Sequence, residues 1–215
     1  MTAGRDAARS RAAILEAAET LFARRGFDGT SLSDVGAGAG LSRGAPSYFF
    51  GSKEDLYRAV LERVFADRQE ATAAAVAPLH VWAESDATAA ELRPALARAV
   101  GGYMEFVLGR PAFARFIARE ELDGAHRLRA VDRESEALER AFGAVRAVAR
   151  RRGLASFRVR DAVLLFVSLA YAPLVHENTL LAALERDLRD PAVRRRHVSL
   201  AADQLMALLR GTPES

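Results

Sequence analysis

The feature that most constrains this sequence is a pair of short helical stretches divided by one glycine-containing turn. Apolar spacing and capping signals predict helices over about Leu32–Ala39 and about Arg43–Phe49, with a turn over residues 40–42 between them. An amphipathic helix is predicted before them over residues 9–25, and Gly26 is expected to end it. A supporting helix followed by two short helices around a tight turn forms a helix-turn-helix unit.

The remainder of the chain is also predicted to be helical, because Ala, Leu, Arg and Glu dominate its composition. About nine helices and no strand are expected, so the predicted fold class is all-α. The pattern loosens after Ala75 through Pro78, which indicates a domain boundary. The start of the fifth helix is ambiguous, since Thr88 and Glu91 resemble a capping box while Pro94 would then lie inside the helix. The fourth helix is expected to begin after Ser52, the fifth to cover about 90–108, and the sixth to begin at Pro111. The seventh is expected to end at Arg152, before Gly153. The eighth is expected to begin near Val159 and to break near Pro173, and the ninth to run from Asp190-Pro191 to Gly211.

Composition and charge limit the classes of protein that this chain can represent. The 215 residues include no cysteine, which excludes disulfides and thiolate metal sites. The net charge is +3, and the first sixty residues carry eight basic and seven acidic side chains, so any nucleic-acid footprint must come from local arrangement. The longest apolar run, Ala162–Val175, is too short to span a bilayer as a helix, and the N-terminus has no apolar signal segment. We therefore expect a protein of the reducing cytoplasm with no membrane partner.

Residues 11–64 resemble the N-terminal domain of the tetracycline-repressor (TetR) family of bacterial regulators. The resemblance covers about a quarter of the chain. It depends on features that recur in register: Arg11-x-x-Ile14-Leu15-x-Ala17-Ala18, Leu21-Phe22, Gly26-Phe27, Thr30-Ser31, Gly40-Leu41-Ser42-Arg43-Gly44, Tyr48, Phe50 and Ser52-Lys53-Glu54.

The resemblance implies an all-α architecture in two functional parts. Residues 1–52 would form a three-helix, helix-turn-helix DNA-binding domain. A long fourth helix would join it to an effector-binding and dimerisation domain over residues 53–215. A homodimer would read palindromic operator DNA, because two recognition helices about one DNA turn apart face successive major grooves. The expected function is ligand-responsive transcriptional regulation, with repression favoured over activation and a small apolar effector causing release.

The resemblance also assigns DNA contacts to individual residues. Arg43, near the start of the recognition helix, can bind a guanine through two parallel hydrogen bonds. Lys53 lies where the family places a phosphate-binding lysine, and the alternative is a solvated surface charge. It is the only lysine in the chain. Thr30, Ser31 and Ser33 would meet phosphates at the start of the second helix. The complete set of expected contacts is Thr30, Ser31, Ser33, Arg43, Gly44, Ala45, Ser47, Tyr48 and Lys53.

Several positions depart from the family pattern. Ser47 stands where tyrosine is frequent, and Phe49 stands where histidine is frequent, so the phosphate hydrogen bond of that histidine is not carried over. Pro46 replaces a usual leucine and could change how the recognition helix sits. Gly36 and Gly38 stand where alanines are common, and each costs the helix about 1 kcal/mol. They indicate either close packing against the first helix or a soft second helix that becomes ordered on DNA.

In the second part, the resemblance implies an effector pocket among helices 5–7 and a dimer interface formed by helices 8 and 9. The last two helices are too apolar for the surface of a monomer, which favours burial against a second copy. Five aromatic residues could line the pocket, although each is individually more typical of a core: Tyr103, Phe106, Phe113, Phe116 and Phe142. The residues expected at the dimer interface are Val163, Phe166, Val167, Ala170, Leu174, Leu200, Leu205, Leu208 and Leu209.

Two other classes of function stay open on the residues alone. An enzyme has no positive support, because no nucleophile elbow or phosphate-binding loop is present and residues 36–40 lack the full dinucleotide-binding spacing. A protein–protein adaptor with a degenerate helix-turn-helix would keep the fold without binding DNA. Arginines at 150–152 and 194–196 indicate a helix end and a solvated face, with a second DNA patch as the alternative. No cofactor or metal is expected, since the four histidines are scattered without ligand spacing: His80, His126, His176 and His197.

Overall fold

The computed structural model describes residues 2–122, 134–149 and 157–210, and every regular element in these ranges is a helix. The predicted all-α class is confirmed. The described elements are α1 (Thr2–Arg25), α2 (Leu32–Gly38), α3 (Ala45–Phe50), α4 (Lys53–Glu84), α5 (Ala89–Gly109), α6 (Pro111–Leu122), α7 (Glu134–Ala149), α8 (Val159–Ala170), α9 (Ala172–Val175), a π-helical turn (Glu177–Leu181) and α10 (Pro191–Arg210).

The described chain forms two compact units. The first contains α1, α2, α3, the part of α4 up to Asp67, and α6 with the preceding Arg110. The second contains α4 from Arg68 onward, α5, and the described elements from α7 to α10. This division by compactness differs from the predicted functional division at residue 52, which stays a prediction.

The first unit is built around α1, against which α2 and α6 pack. Ile14, Ala18 and Phe22 recur at helical spacing on its inner face and are buried. Gly26 follows the helix with a φ of 73°, a left-handed conformation that glycine adopts without steric cost. The helix begins at Thr2 rather than at residue 9.

The second unit is centred on α5, which packs against α8 and α10. Leu96 and Val100 are completely buried on the inner face of α5. Towards its N-terminal end, the Arg93 Nε donates to Asp203 at 2.6 Å and its Nη2 donates to Ser199 at 2.7 Å. These hydrogen bonds fix α5 to α10.

The two features that made the start of α5 ambiguous, the Thr88–Glu91 capping box and a helical Pro94, occur together in the structure. The Glu91 carboxylate accepts hydrogen bonds from the Thr88 amide at 2.7 Å and from the Thr88 hydroxyl at 3.0 Å. Pro94 nevertheless lies inside the helix. The neighbouring Leu92 and Leu96 are fully buried, and this packing offsets the backbone hydrogen bond that proline cannot make.

The predicted boundary after Ala75 is wrong, because the two units divide between Asp67 and Arg68, and α4 continues through Pro78 to Glu84. Val76 and Leu79, on either side of the proline, are buried, so the helix keeps its packing across this position. By contrast, the predicted break near the end of the eighth helix is confirmed, and it divides that helix into α8 and α9. The predicted ends at Gly153 and Gly211 lie outside the described residues.

Candidate nucleic-acid interface

The start of α2 is fixed by a capping box. The Ser31 hydroxyl accepts a hydrogen bond from the Asp34 amide at 3.1 Å, and the Asp34 carboxylate accepts one from the Ser31 amide at 3.3 Å. The hydrogen bonds from Ser31, first from its hydroxyl and then from its amide, lower the pKa of Asp34, with help from the charges of Arg25 and Arg43. Ser31 is therefore the N-cap of α2, and its side chain is engaged within the fold.

Thr30 does not have the accessibility that the sequence prediction required. Only 2% of this residue is exposed, and its hydroxyl donates to the Gly26 carbonyl at 2.9 Å. Because this hydroxyl closes the connection between α1 and α2, a phosphate cannot reach it. We therefore remove the Thr30 side chain from the DNA contacts. Ser33 is half-buried in the first turn of α2.

The turn between α2 and α3 is packed so closely that it requires a glycine. A Cβ atom on Gly36 would lie 2.6 Å from the Ser42 carbonyl oxygen, 3.1 Å from the Arg43 Cα and 3.2 Å from the Pro46 Cδ. The Leu41 amide also donates to the Gly36 carbonyl at 3.0 Å. Gly36 therefore packs against the turn and α3, so the predicted contact with the first helix is wrong at this position.

Gly38 shows the packing that was predicted for both glycines. A Cβ atom at this position would contact Ala17 at 3.5 Å and Leu21 at 3.6 Å, both on α1. These are ordinary van der Waals distances, so α2 has room for a methyl group here.

Helix α3 has one buried residue in its first turn and polar side chains that are exposed. Pro46 is buried in its first turn, where the missing amide costs least, while Ser47 and Tyr48 are exposed, Tyr48 to 86%. The helix starts at Ala45, so Arg43 belongs to the preceding turn and not to the helix as predicted. Arg43 is exposed, and Gly44 is the N-cap. The surface thus combines a guanidinium with two hydroxyl groups.

Two cations of the first unit lie on aromatic rings. The Lys53 Nζ is 4.3 Å from the centroid of Phe27, and the Arg11 Cζ is 4.9 Å from the centroid of Phe50. Phe27 in turn packs edge-on against Tyr57 at 5.1 Å. Lys53 is therefore ordered on a ring, in contrast to the freely solvated charge considered as the alternative. Arg11 opens the family-like pattern of α1, but it was not among the predicted DNA contacts.

A partly buried ionic network holds together the helices behind the surface. Glu19 on α1 is 5% exposed and accepts from Arg110 at 3.1 and 3.2 Å, while Arg63 lies 3.6 Å away. Arg110 also pairs with Asp67 on α4. Burial alone would lower the pKa of Arg110, but the hydrogen bond to Asp67 and the charges of Glu19 and Asp67 raise it. No sequence signal predicted this network, because its members are far apart in the chain.

Comparison with known proteins decides the family. The family model for bacterial regulatory proteins of the tetR family matches residues 14–60. The model for the tetracycline repressor-like C-terminal domain matches residues 93–204, or 112 of the 215 residues. The chain belongs to the TetR family. Its members are regulatory proteins, so the enzyme hypothesis is dropped.

Individual relatives agree with this assignment. The chain is 28% identical over 209 residues to the HTH-type transcriptional repressor NicS of Pseudomonas putida, covering 94% of this chain and 93% of NicS. It is 45% identical over 51 residues to the uncharacterized HTH-type transcriptional regulator YfiR of Bacillus subtilis, covering 24% of this chain and only 25% of YfiR. A TetR family transcription regulator from Marinobacter aquaeolei superposes with a TM-score of 0.63 at 20% identity, over 96% of this chain and 97% of that one. At that identity the superposition shows the fold alone.

The aromatic residues predicted for the effector pocket of this TetR-family chain fall into two groups. Phe113 and Phe116 are buried in the first unit. Tyr103, Phe106 and Phe142 belong to the second, where Tyr103 is within 6.3 Å of the Phe106 ring. The five residues thus belong to two different units, and the pocket they were predicted to line stays a prediction.

The predicted dimer interface also needs correction. Within one chain, five of its residues are already buried and have no surface left to give to a partner. They are Phe166, Ala170, Leu174, Leu205 and Leu209. Val163, Val167 and Leu208 are half-buried, while Leu200 is 56% exposed. Leu164, which the sequence analysis omitted, is 69% exposed.

The remaining sequence expectations concern metals, membranes and basic clusters. The described residues contain no group of three or more potential metal-ligating side chains, and none of the helices they form has the length and hydropathy needed to cross a bilayer. Arg195 and Arg196 are exposed on α10, while Arg194 donates to the Leu188 carbonyl at 3.2 Å. The 150–152 cluster and His126 lie outside the described residues.

Proposed function

We propose that this chain is a transcriptional repressor that binds a palindromic operator as a homodimer and is released by a small apolar effector. The observation that carries the DNA-binding part is the exposed surface of Arg43, Ser47 and Tyr48 at the start of α3. Arg43 supplies the two-pronged donor that suits guanine, and Tyr48 projects fully from the helix. Similarity to the repressor NicS over most of both chains supports repression as the direction of control.

The surroundings of α3 supply the sequence-independent part of binding. Lys53, at the start of α4 on the ring of Phe27, would contact a phosphate. The amide groups at the start of α2 can do the same beside Ser33. Phosphate contacts of this kind orient the protein on the duplex, while Arg43 and its neighbours read the bases.

Homodimerisation is supported by apolar surface that one chain leaves uncovered. On α8, Leu164 is largely exposed beside the half-buried Val163 and Val167. On α10, Leu200 is exposed and Leu208 is half-buried. Burial of these side chains against a second copy would remove them from water and would pair two recognition helices on one palindrome.

The effector would act by shifting a population. Tyr103, Phe106 and Phe142, with Phe166 between Tyr103 and Phe142, give the second unit an aromatic interior suited to an apolar ligand. A ligand lowers operator affinity only if it binds the DNA-incompetent dimer more tightly than the competent one.

Selection of bound duplexes from a random or genomic pool tests the proposal. Two half-sites spaced by about one helical turn of DNA, roughly 10 base pairs, are expected. Recovery of no preferred duplex by a well-folded protein would overturn DNA recognition and favour the adaptor function. A preferred site without two-fold symmetry would overturn the homodimer.

A further inference from the structure

Arg11 lies outside the helix-turn-helix but beside its recognition helix. Its Cζ is 4.9 Å from the centroid of Phe50, the last residue of α3. The side chain of Arg11 is exposed, and it forms no ion pair with a carboxylate in the described part of the chain. The ring thus holds an uncompensated positive charge at the C-terminal end of α3.

The geometry of this contact leaves the guanidinium able to bind an anion. A guanidinium has five N–H donors in one plane, and a contact between its face and an aromatic ring leaves those donors at its edge. Stacking also reduces the side-chain freedom that would otherwise be lost on binding. Arg11 is therefore ordered before DNA arrives, as Lys53 is by the ring of Phe27.

The last residues of α3 have no side chain that could donate a hydrogen bond to a phosphate. The nearest residues on the helix are Phe49 and Phe50, whose rings cannot donate to a phosphate oxygen. Tyr48 is the preceding hydroxyl, and its ring packs edge-on against Phe49 at 5.3 Å. The last two residues of α3 are aromatic, so the charged donors near this end come from other helices: Arg11 on α1 and Lys53 at the start of α4.

We propose that Arg11 is an additional DNA-phosphate contact, held in place by Phe50 at the C-terminal end of the recognition helix. The proposal depends on the proposed function, since it needs α3 to lie against DNA. It assigns Arg11 to affinity and not to sequence reading, because phosphates carry no base information. Phe50 is the positioning residue of this contact.

The test measures the salt dependence of binding to the selected operator and to a random duplex of equal length. Because a homodimer carries two copies of Arg11, Arg11→Ala is expected to reduce the slope of log K against log salt by about 0.9 per subunit, or about 1.8 in all, and to weaken binding to both duplexes about 25- to 100-fold at 0.1 M salt. Arg9→Ala is the matched control, because it removes the same charge from an exposed position of α1 about 200° around the helix. Its slope is expected to stay near that of the unmodified protein.

The Phe50 variants test positioning. Phe50→Tyr keeps the ring face and should keep the slope, whereas Phe50→Leu should lose most of the Arg11 contribution. Thermal unfolding by circular dichroism confirms that each variant is folded. Because Arg11 is exposed, the Arg11→Ala result alone decides whether Arg11 contacts a phosphate. An unchanged slope for Arg11→Ala, or an equal loss for Arg9→Ala, overturns the role of Arg11. Absence of duplex binding by the unmodified protein overturns the proposed function instead.

Discussion

Gly36 shows how a missing side chain can position a recognition surface. A Cβ atom in place of its hydrogen would lie 2.6 Å from the Ser42 carbonyl oxygen, closer than Cβ atoms come to other atoms, and tightly at 3.2 Å from the Pro46 Cδ. The neighbouring contact is backbone, which cannot swing aside as a flexible side chain can. The placement of Arg43 and of α3 therefore depends on the absence of a methyl group at this position.

Gly36→Ala should displace α3 and weaken operator binding. We expect a loss of about 1–3 kcal/mol for the operator, the value of one good bidentate base contact, with a much smaller loss for a random duplex. Fluorescence anisotropy with both duplexes measures the ratio of operator affinity to random-duplex affinity.

Gly38→Ala is the control for that substitution. It adds the same methyl group two residues along α2, where Ala17 and Leu21 leave ordinary contact distances. Operator affinity should be unchanged, and the free energy of unfolding should rise by up to about 1 kcal/mol because alanine favours the helix. Equal loss of operator affinity in the two glycine variants would contradict the positioning role of Gly36.

Arg43→Ala should relax the reading of one base pair. The exposed guanidinium lies at the start of the recognition surface, so its removal is expected to cost about 1–3 kcal/mol for each half-site of the operator. Affinities for duplexes with each single base substitution identify the position that loses discrimination. Unchanged preference at every position would show that Arg43 does not read a base.

Arg43, Ser47 and Tyr48 are exposed, as a DNA contact requires, but the sequence could not show which hydroxyl groups form hydrogen bonds within the fold. The cap of α2 is a local feature, because Ser31 and its partner Asp34 lie three residues apart in the sequence. Thr30 was assigned to DNA by resemblance, and its burial depends on the path of the chain after Gly26. The contact between Arg11 and the Phe50 ring joins residues that are 39 positions apart in the sequence. Hydrophobic periodicity cannot predict a contact of this kind.

At the scale of elements, the helices that support the surface are joined by charge as well as by apolar packing. Arg110, which immediately precedes α6, binds Glu19 on α1 and Asp67 on α4. Glu19 is largely buried, so its carboxylate depends on these partners in place of water. The network therefore fixes three helices of the first unit.

Arg110→Leu should destabilise the fold. Only Arg63, at 3.6 Å, would remain to compensate Glu19. Because Arg110 is about a quarter exposed, we expect a loss of about 2–3 kcal/mol, below the 3–5 kcal/mol typical of a fully buried pair. Urea unfolding measures this change.

Arg58→Leu serves as the comparison for the Arg110 variant. Arg58 pairs with Asp55 on the surface of α4, where both side chains are at least half exposed. Its loss should cost no more than about 0.5 kcal/mol. Similar destabilisation by the two leucine variants would mean that the Arg110 network contributes no more than an ordinary surface pair.

The sequence predicted correctly that the described elements are helices, but it predicted the ends of these helices less well. Capping residues located the starts of α2, α4 and α10. The continuation of α4 through Pro78 was missed, because the burial of Val76 and Leu79 that supports it comes from tertiary packing. The early start of α1 was missed because residues 4–9 are exposed and show no inward apolar stripe.

At the scale of the whole molecule, hydrophobicity indicated the helices of the proposed dimer interface but not the faces they would present. Phe166 and Leu205 are apolar at helical spacing, yet they serve the core of a single chain. Periodicity identifies an apolar stripe without showing which partner covers it. In one chain, the clearest uncovered residues of α8 and α10 are Leu164 and Leu200.

Replacing both residues with glutamate should therefore separate the proposed dimer. A carboxylate without a partner in an apolar interface costs about 3–5 kcal/mol, so the dissociation constant of the dimer should rise at least about a hundredfold. Sedimentation equilibrium measures it, and operator affinity should fall with it because one recognition helix reads only half of a palindrome. Val81→Glu is the control, since Val81 is 65% exposed on α4 and lies on neither proposed dimer helix. A Leu164→Glu, Leu200→Glu protein that sediments as a dimer would show that the two copies meet through another surface.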